Sequence, residues 1–260
     1  MSTNVIADRL IRKLESFAKL SAVERQALQD TSVTTSRFPA HTDLIQEGDP
    51  TDGVHLIIDG FACRYKLLAD GRRQIVAFCV PGDLCDLRVF VLQRMDHAIG
   101  TLSPTHVARL SRDTVLELTE RHPRLTRALW WATLVEEAIT REWMINVGQR
   151  TAFERTAHLM CEVFLRLRAV GLVNENACEF PLTQTELADT LALSTVHVNR
   201  TLMDMRRTGL ISLRDRQLII HDLAALQDAA SFNPGYLHLE PPLEIGPGHS
   251  RPADPTGNRE

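Results

Sequence analysis

Thr195, Val196, His197, Asn199 and Arg200 carry side chains suited to reading the edges of bases. An arginine can donate twice to guanine O6 and N7, and an asparagine can pair with adenine. A threonine or valine can meet a thymine methyl. That chemistry needs all five on the outer face of one helix, near its N-terminus. Val198, Leu202 and Met205 recur at helical spacing and turn inward, which leaves the five outside. Upstream, Thr183 and Glu186 form a T-x-x-E capping box just after Pro181. Leu187, Ala188 and Leu191 give that first helix an apolar face. The turn falls at Ala192-Leu193-Ser194, with Ser194 as the next N-cap and Gly209 just beyond the second helix. Two helices joined this way predict a helix-turn-helix, whose second helix enters the major groove. An ordinary helical hairpin in a core is the plainer alternative.

The stretch that follows favours the first reading. Leu210 to Ile220 places two short apolar runs around Arg214-Asp215-Arg216, the pattern of a β-hairpin, or wing. From Thr195 to Arg216 five arginines (200, 206, 207, 214, 216) face Asp204 and Asp215, a local excess of three positive charges. The whole chain has a formal net charge of −4. A basic stretch on an acidic protein suits phosphate contact, with Arg214 and Arg216 on the wing.

The 260 residues are 44% hydrophobic and 24% charged, the composition of a soluble globular chain of one or two domains. No run approaches a membrane span, and the N-terminus lacks the apolar core of a signal peptide, so the expected location is cytoplasmic, with no membrane partner. Cys63, Cys79, Cys85, Cys161 and Cys178 show no C-x-x-C spacing, which predicts neither disulfides nor a metal site. They read as small buried hydrophobes.

Residues 5 to 30 read as a helical lead-in containing Leu10, Leu14 and Phe17, with a second capping box at Ser21 and Glu24. From Arg37 to Leu110 short β-type runs alternate with turns. Glycines at 48, 60, 71 and 82 mark an antiparallel barrel or roll, and Ile99 to Leu110 reads as a further strand pair across Ser103-Pro104. Residues 112 to 118 and 119 to 147 read as helix. Leu125, Ala132, Val135, Ile139 and Trp143 form an apolar seam there, read as a dimer interface, and Gly148 marks a hinge. A helix follows over 151 to 169, then a loop from Val173 to Glu179, and after Asp222 a short LAALQDAA helix, beyond which residues 233 to 260 carry many Pro and Gly. The expected fold is therefore α+β: a jelly-roll-like antiparallel β-roll with flanking helices (1–118), a long dimerisation helix (119–148), a winged helix-turn-helix (149–225) and a flexible Pro/Gly-rich tail (226–260).

In that order the chain resembles the Crp/Fnr family of bacterial transcription regulators over roughly residues 10 to 225. The resemblance is carried by IQEGDP, IIDGFA, ADGRRQIVAFCVPGDL and, most specifically, LTQTELADTLALSTVHVNRTLMDMRRTGLI. It implies a homodimer that reads an inverted repeat in double-stranded DNA, a cyclic-nucleotide-like sensor roll, and RNA polymerase and a small-molecule effector as candidate partners. The family's base-reading positions fall on Thr195, Val196, Asn199 and Arg200. Val196 stands where both main branches carry glutamate, so the preferred site should differ from either consensus. Thr183, Gln184 and Ser194 hold cap positions able to meet phosphates.

The sensor positions depart from the family. Gly82-Asp83 is kept, but Leu84-Cys85-Asp86-Leu87-Arg88 follows, with Asp86 in the glutamate's role. His97-Ala98 replaces the arginine-serine pair that holds the phosphate, so tight cyclic AMP binding is not expected. The effector residues, if an effector exists, would be Gly82, Asp83, Asp86, Arg88 and His97. No cysteine precedes Cys63, which argues against an iron–sulfur cluster. A haem on His97, Cys79 or Cys85 stays open, and no resident cofactor is predicted. Nothing resembles an enzyme's nucleophile–base set, P-loop or zinc signature. The alternative function is a ligand-binding module whose winged helix makes protein contacts.

Overall fold

The computed structural model describes residues 3–16, 19–50, 52–87 and 91–239. Two helices open the chain, α1 (Thr3–Glu15) and α2 (Ala22–Gln29). Ser21 and Glu24 close their capping box in both directions, the Ser21 side chain accepting from the Glu24 N–H and the Glu24 carboxylate from that of Ser21.

The roll is two antiparallel sheets. One has the order β1 (Thr34–Phe38), β7 (Thr105–Ser111), β3 (Gly53–Asp59), and the other β2 (Asp43–Ile45), β6 (Ala98–Thr101), β4 (Ala62–Leu67), β5 (Arg73–Cys79). The expected strand pair across Ser103-Pro104 is not a hairpin: β6 lies between β2 and β4, while β7 crosses to β1 and β3. Gly60 shows why its turn needs glycine. Its φ is +81°, and a Cβ there would sit 2.4 Å from the Pro104 carbonyl oxygen.

Helices α3 (Arg112–Arg121) and α4 (Pro123–Gly148) follow, and the break between them falls at His122. Pro123 lacks the N–H that would continue α3 and sits at the start of α4, where none is needed. At 26 residues, α4 is about 39 Å long. Leu125 is fully buried, and Val135, Ile139 and Trp143 are each at most 6% exposed within the single chain. Ala132 also packs against the core. The seam read from the sequence as a dimer interface is thus the helix's own core face. Of the apolar residues α4 leaves exposed, Trp130 at 70%, Leu134 at 54% and Met144 at 71% lie on another stripe, and Ile145 and Val147 lie beside it near the helix end.

After α4 come α5 (Ala152–Ala169), β8 (Val173–Asn174), β9 (Ala177–Glu179), α6 (Gln184–Leu191), α7 (Thr195–Arg207), β10 (Ile211–Arg214) and β11 (Gln217–Ile220). The stretch expected to be a loop, Val173 to Glu179, instead supplies two strands to a sheet of order β10-β11-β9-β8. Residues 226–239 are not a free tail. Helix α8 (Leu223–Ala229) and a 3-10 turn (Pro234–Leu237) bury Leu226, Ala230, Phe232 and Leu237. The part of the expected tail from 240 to 260 lies outside the described residues, as does Phe17. One continuous apolar core joins Phe61, Phe78 and Trp143 to Leu159, Leu187, Val198 and Leu226, so the winged domain is docked on the roll.

Candidate nucleic-acid interface

The two helices of the motif are fixed by local chemistry. The Thr183 hydroxyl accepts from the Glu186 N–H, and the Glu186 carboxylate accepts from the Thr183 N–H at 2.6 Å. Caps of this kind are worth about 1 kcal/mol each. Helix α6 ends on Ala192 in the left-handed conformation, φ +51°, which turns the chain sharply. Ser194 then caps α7 by accepting from the His197 N–H. Val198, Leu202 and Met205 are buried against the core. At the far end Gly209, φ +73°, donates to the Arg206 carbonyl oxygen and ends the helix as its position predicts.

This packing leaves the N-terminal face of α7 open. Thr195, Val196, Asn199 and Arg200 are exposed, and His197 is half-buried. Val196 is 79% exposed, a large apolar side chain left in the open. The first turn of α7 carries no acidic residue, so the positive end of the helix dipole is uncompensated. Thr183 and Gln184 at the start of α6 and Ser194 are exposed as well. On the wing, Arg214, Asp215 and Arg216 are exposed, and Asp215 and Arg216 both have positive φ, as a type I′ hairpin turn requires. Among the described residues no ion pair engages Arg200, Arg214 or Arg216, whereas Arg207 pairs with Asp204 at 3.1 Å. The residues expected to face DNA are thus exposed, His197 alone being half-buried, and the arginines among them carry no ion-pair partner among the described residues.

The expected effector residues are not gathered in one place. Asp83 accepts from Lys13, from Arg166 Nη2 at 2.6 Å and from the Val80 N–H at 2.8 Å. Burial pushes its carboxyl up, but Lys13 and Arg166 outweigh that and hold it at about 2. Gly82 and Asp83 line a cavity of only ≈ 20 Å³ between α1, α4 and α5, roughly room for one water. Asp86 faces a different cleft of ≈ 240 Å³ and binds the N–H and Nδ1 of His55, each at 2.7 Å. His97 lines neither space and meets Asp96 through Nδ1 at 2.7 Å, while Arg88 lies outside the described residues.

A residue the sequence reading passed over, Arg64, is buried in the roll. It donates to the carbonyl oxygens of Leu84 and Cys85 and to Glu136 of α4 at 2.9 Å. Its strand, whose first four residues are all buried, gave no sign of this, because the partners lie 20 to 72 residues away. All five cysteines are buried free thiols, and burial pushes Cys161 and Cys178 up to about 12. Among the described residues no three of His, Cys, Asp and Glu are placed to hold a metal, and no helix is long and apolar enough to cross a membrane.

Residues 35–122 match the cyclic nucleotide-binding domain family and residues 154–229 the Crp-like helix-turn-helix domain family. The chain is 25% identical over 228 residues to the nitrogen fixation regulation protein FixK of Azorhizobium caulinodans, covering 87% of this chain and 86% of that one. It is 29% identical over 224 residues to the transcriptional activator protein FnrL of Cereibacter sphaeroides, covering 85% and 89%. The structure of FixK2 from Bradyrhizobium japonicum superimposes with a TM-score of 0.69 at 26% identity, covering 76% of this chain and 97% of that one.

Proposed function

The chain belongs to the Crp/Fnr family of transcription regulators, and from that membership we propose that it binds an inverted-repeat operator as a homodimer in the cytoplasm. The observation that carries the reading is the open N-terminal face of α7, with Thr195, Val196, Asn199 and Arg200 exposed beside a basic wing. Arg200 donates to a guanine edge, Asn199 pairs with adenine, and Val196 packs on a thymine methyl. Arg214 and Arg216 hold phosphates, with Thr183, Gln184 and Ser194 at the helix starts.

The dimer forms through the second stripe of α4 rather than through its core face. Arg127, Trp130, Leu134, Glu137, Arg141, Met144 and Gly148 are all exposed and recur alternately three and four residues apart, the spacing of a coiled-coil seam. Glu137 and Arg141 pair at 3.0 Å in the middle of that stripe, a polar layer that fixes the register of the second copy. No resident metal or cofactor is needed for this reading. The roll's interior is bridged to α4 by Arg64 and Glu136, where an effector would have to compete with the ion pair.

Selection of bound DNA from a random pool, with and without cell extract, tests the proposal. The expected product is an inverted repeat with half-sites about one helical turn, ~34 Å, apart, bound more weakly as salt rises. Retention of no sequence in either condition would favour a winged helix that contacts protein instead.

A further inference from the structure

Beyond the wing, the last described turn of the chain reaches back across the hinge. Tyr236 donates its hydroxyl to Glu162 Oε2 at 2.9 Å. The same oxygen accepts from Trp143 Nε1, on α4, at 3.0 Å. Glu162 Oε1 accepts from Arg166 Nη1 at 3.2 Å. Arg166 Nη2 in turn donates to Asp83 at 2.6 Å and to the Phe78 carbonyl oxygen at 2.9 Å, and Lys13 of α1 closes the chain on Asp83. Glu162 is fully buried, and the side chains of Arg166 and Asp83 are 7% and 4% exposed. Tyr236 is held for its part by stacking on His158 and by the edge of Phe232, both ring centroids at 5.8 Å.

These contacts join five bodies in one network: α1, the sensor turn, the long helix, the first helix of the winged domain and the C-terminal turn. A buried pair with two carboxylates on one guanidinium is a poor source of stability compared with an apolar core. It does impose direction, because the bonds from Trp143 to Glu162 and from Arg166 to Asp83 and Phe78 cross the hinge near Gly148 and are lost if the winged domain rotates about it, while Tyr236 fixes the Glu162 carboxylate from within that domain. The recognition face itself takes no part in the network, so the network holds the domain without covering the surface that reads.

We propose that Tyr236, Glu162 and Arg166 are positioning residues for DNA reading: the C-terminal turn is a strap that fixes the winged domain against the long helix and so sets the distance and twist between the two recognition helices. This rests on the dimeric reading proposed above. Affinity for a single half-site depends on one winged domain alone, whereas affinity for the full repeat depends on the fixed angle between two copies of it. Adding or removing one base pair of spacer rotates one half-site by about 34° against the other, which a rigid dimer resists and a loosened one absorbs.

The experiment compares wild type, Tyr236→Phe and Trp143→Phe on the selected repeat, on repeats one base pair longer and shorter, and on a lone half-site. Tyr236→Phe keeps the ring stacking and removes only the hydroxyl. The expected result is that both variants bind the half-site like wild type, while the penalty for wrong spacing falls by ~10-fold, the scale of one hydrogen bond to a buried charge. An unchanged spacing penalty in both variants overturns the strap. So does an equal loss on half-site and full repeat, which would mean a structural role. If wild type itself shows no preferred spacing, the dimeric reading has failed instead.

Discussion

The recognition face and the sensor turn are built from the same kinds of side chain and use them in opposite ways. On α7, Arg200 and Asn199 are exposed, and among the described residues Arg200 has no ion-pair partner. In the sensor turn the described carboxylates are engaged inside the chain, Asp83 with Lys13 and Arg166 and Asp86 with His55, and on the neighbouring strand Arg64 pairs with Glu136 across to the long helix. A surface meant for a partner leaves its hydrogen-bonding capacity unspent. One whose residues satisfy one another has become part of the scaffold, and a ligand entering there must first break buried ion pairs.

The largest expected effect comes from breaking that internal satisfaction. Asp83→Ala leaves the Arg166 guanidinium buried beside Glu162 alone and should cost ~3–5 kcal/mol in urea unfolding. A loss below ~1 kcal/mol would mean that the turn is not held as described. Next is Leu134→Glu, which puts a charge into the exposed stripe of α4. It should give folded monomers in sedimentation, because Leu134 lies outside the core. Persistence of the dimer would place the interface elsewhere.

A smaller effect comes from acid, at the helix that lies between the two regions in sequence. His158 is fully buried, and burial first, then Arg150, lower its pKa to about 3. Between its ordinary value near 6.5 and about 3 the unfolded chain takes up a proton that the folded chain refuses, so stability falls as pH falls through that window. From about pH 7.5 to 5.5 the loss should be ~1.4 kcal/mol, and His158→Asn should flatten it. An equal slope in the variant would assign the acid sensitivity to another group. The smallest effect is none at all: calorimetric titration with cyclic AMP should show no saturable heat at micromolar concentrations, and a one-to-one isotherm would contradict the self-filled roll.

The helix-turn-helix was legible residue by residue because its signals are local. Thr183 with Glu186, Ser194 with His197, and Gly209 after α7 act over three or four positions, and the structure forms each of these contacts. The order of roll, long helix and winged domain was legible for the same reason. What escaped is what acts over long separations. Asp83 and Arg166 are 83 residues apart, and no spacing rule connects them. The seam on α4 was read as an interface although it is the helix's own core face, because sequence periodicity does not say whether an apolar stripe meets the chain's own roll or a second copy. The C-terminal segment was misjudged on its prolines and glycines, although Phe232, Tyr236 and Leu237 are the residues of a segment that packs.

The central claim is that the open face of α7 reads bases while the wing holds phosphates. It is tested most directly by binding curves for wild type, Arg200→Ala and Arg216→Ala on the selected site and on every single-base change of it, at several salt concentrations. Arg200→Ala should lose ~1–3 kcal/mol per contact and lose its preference at one base pair in each half-site. Arg216→Ala should weaken all sequences alike and flatten the salt dependence. An Arg200→Ala protein that loses affinity equally for every base at every position would contradict the account, because Arg200 would then be a phosphate anchor and the reading face would lie elsewhere.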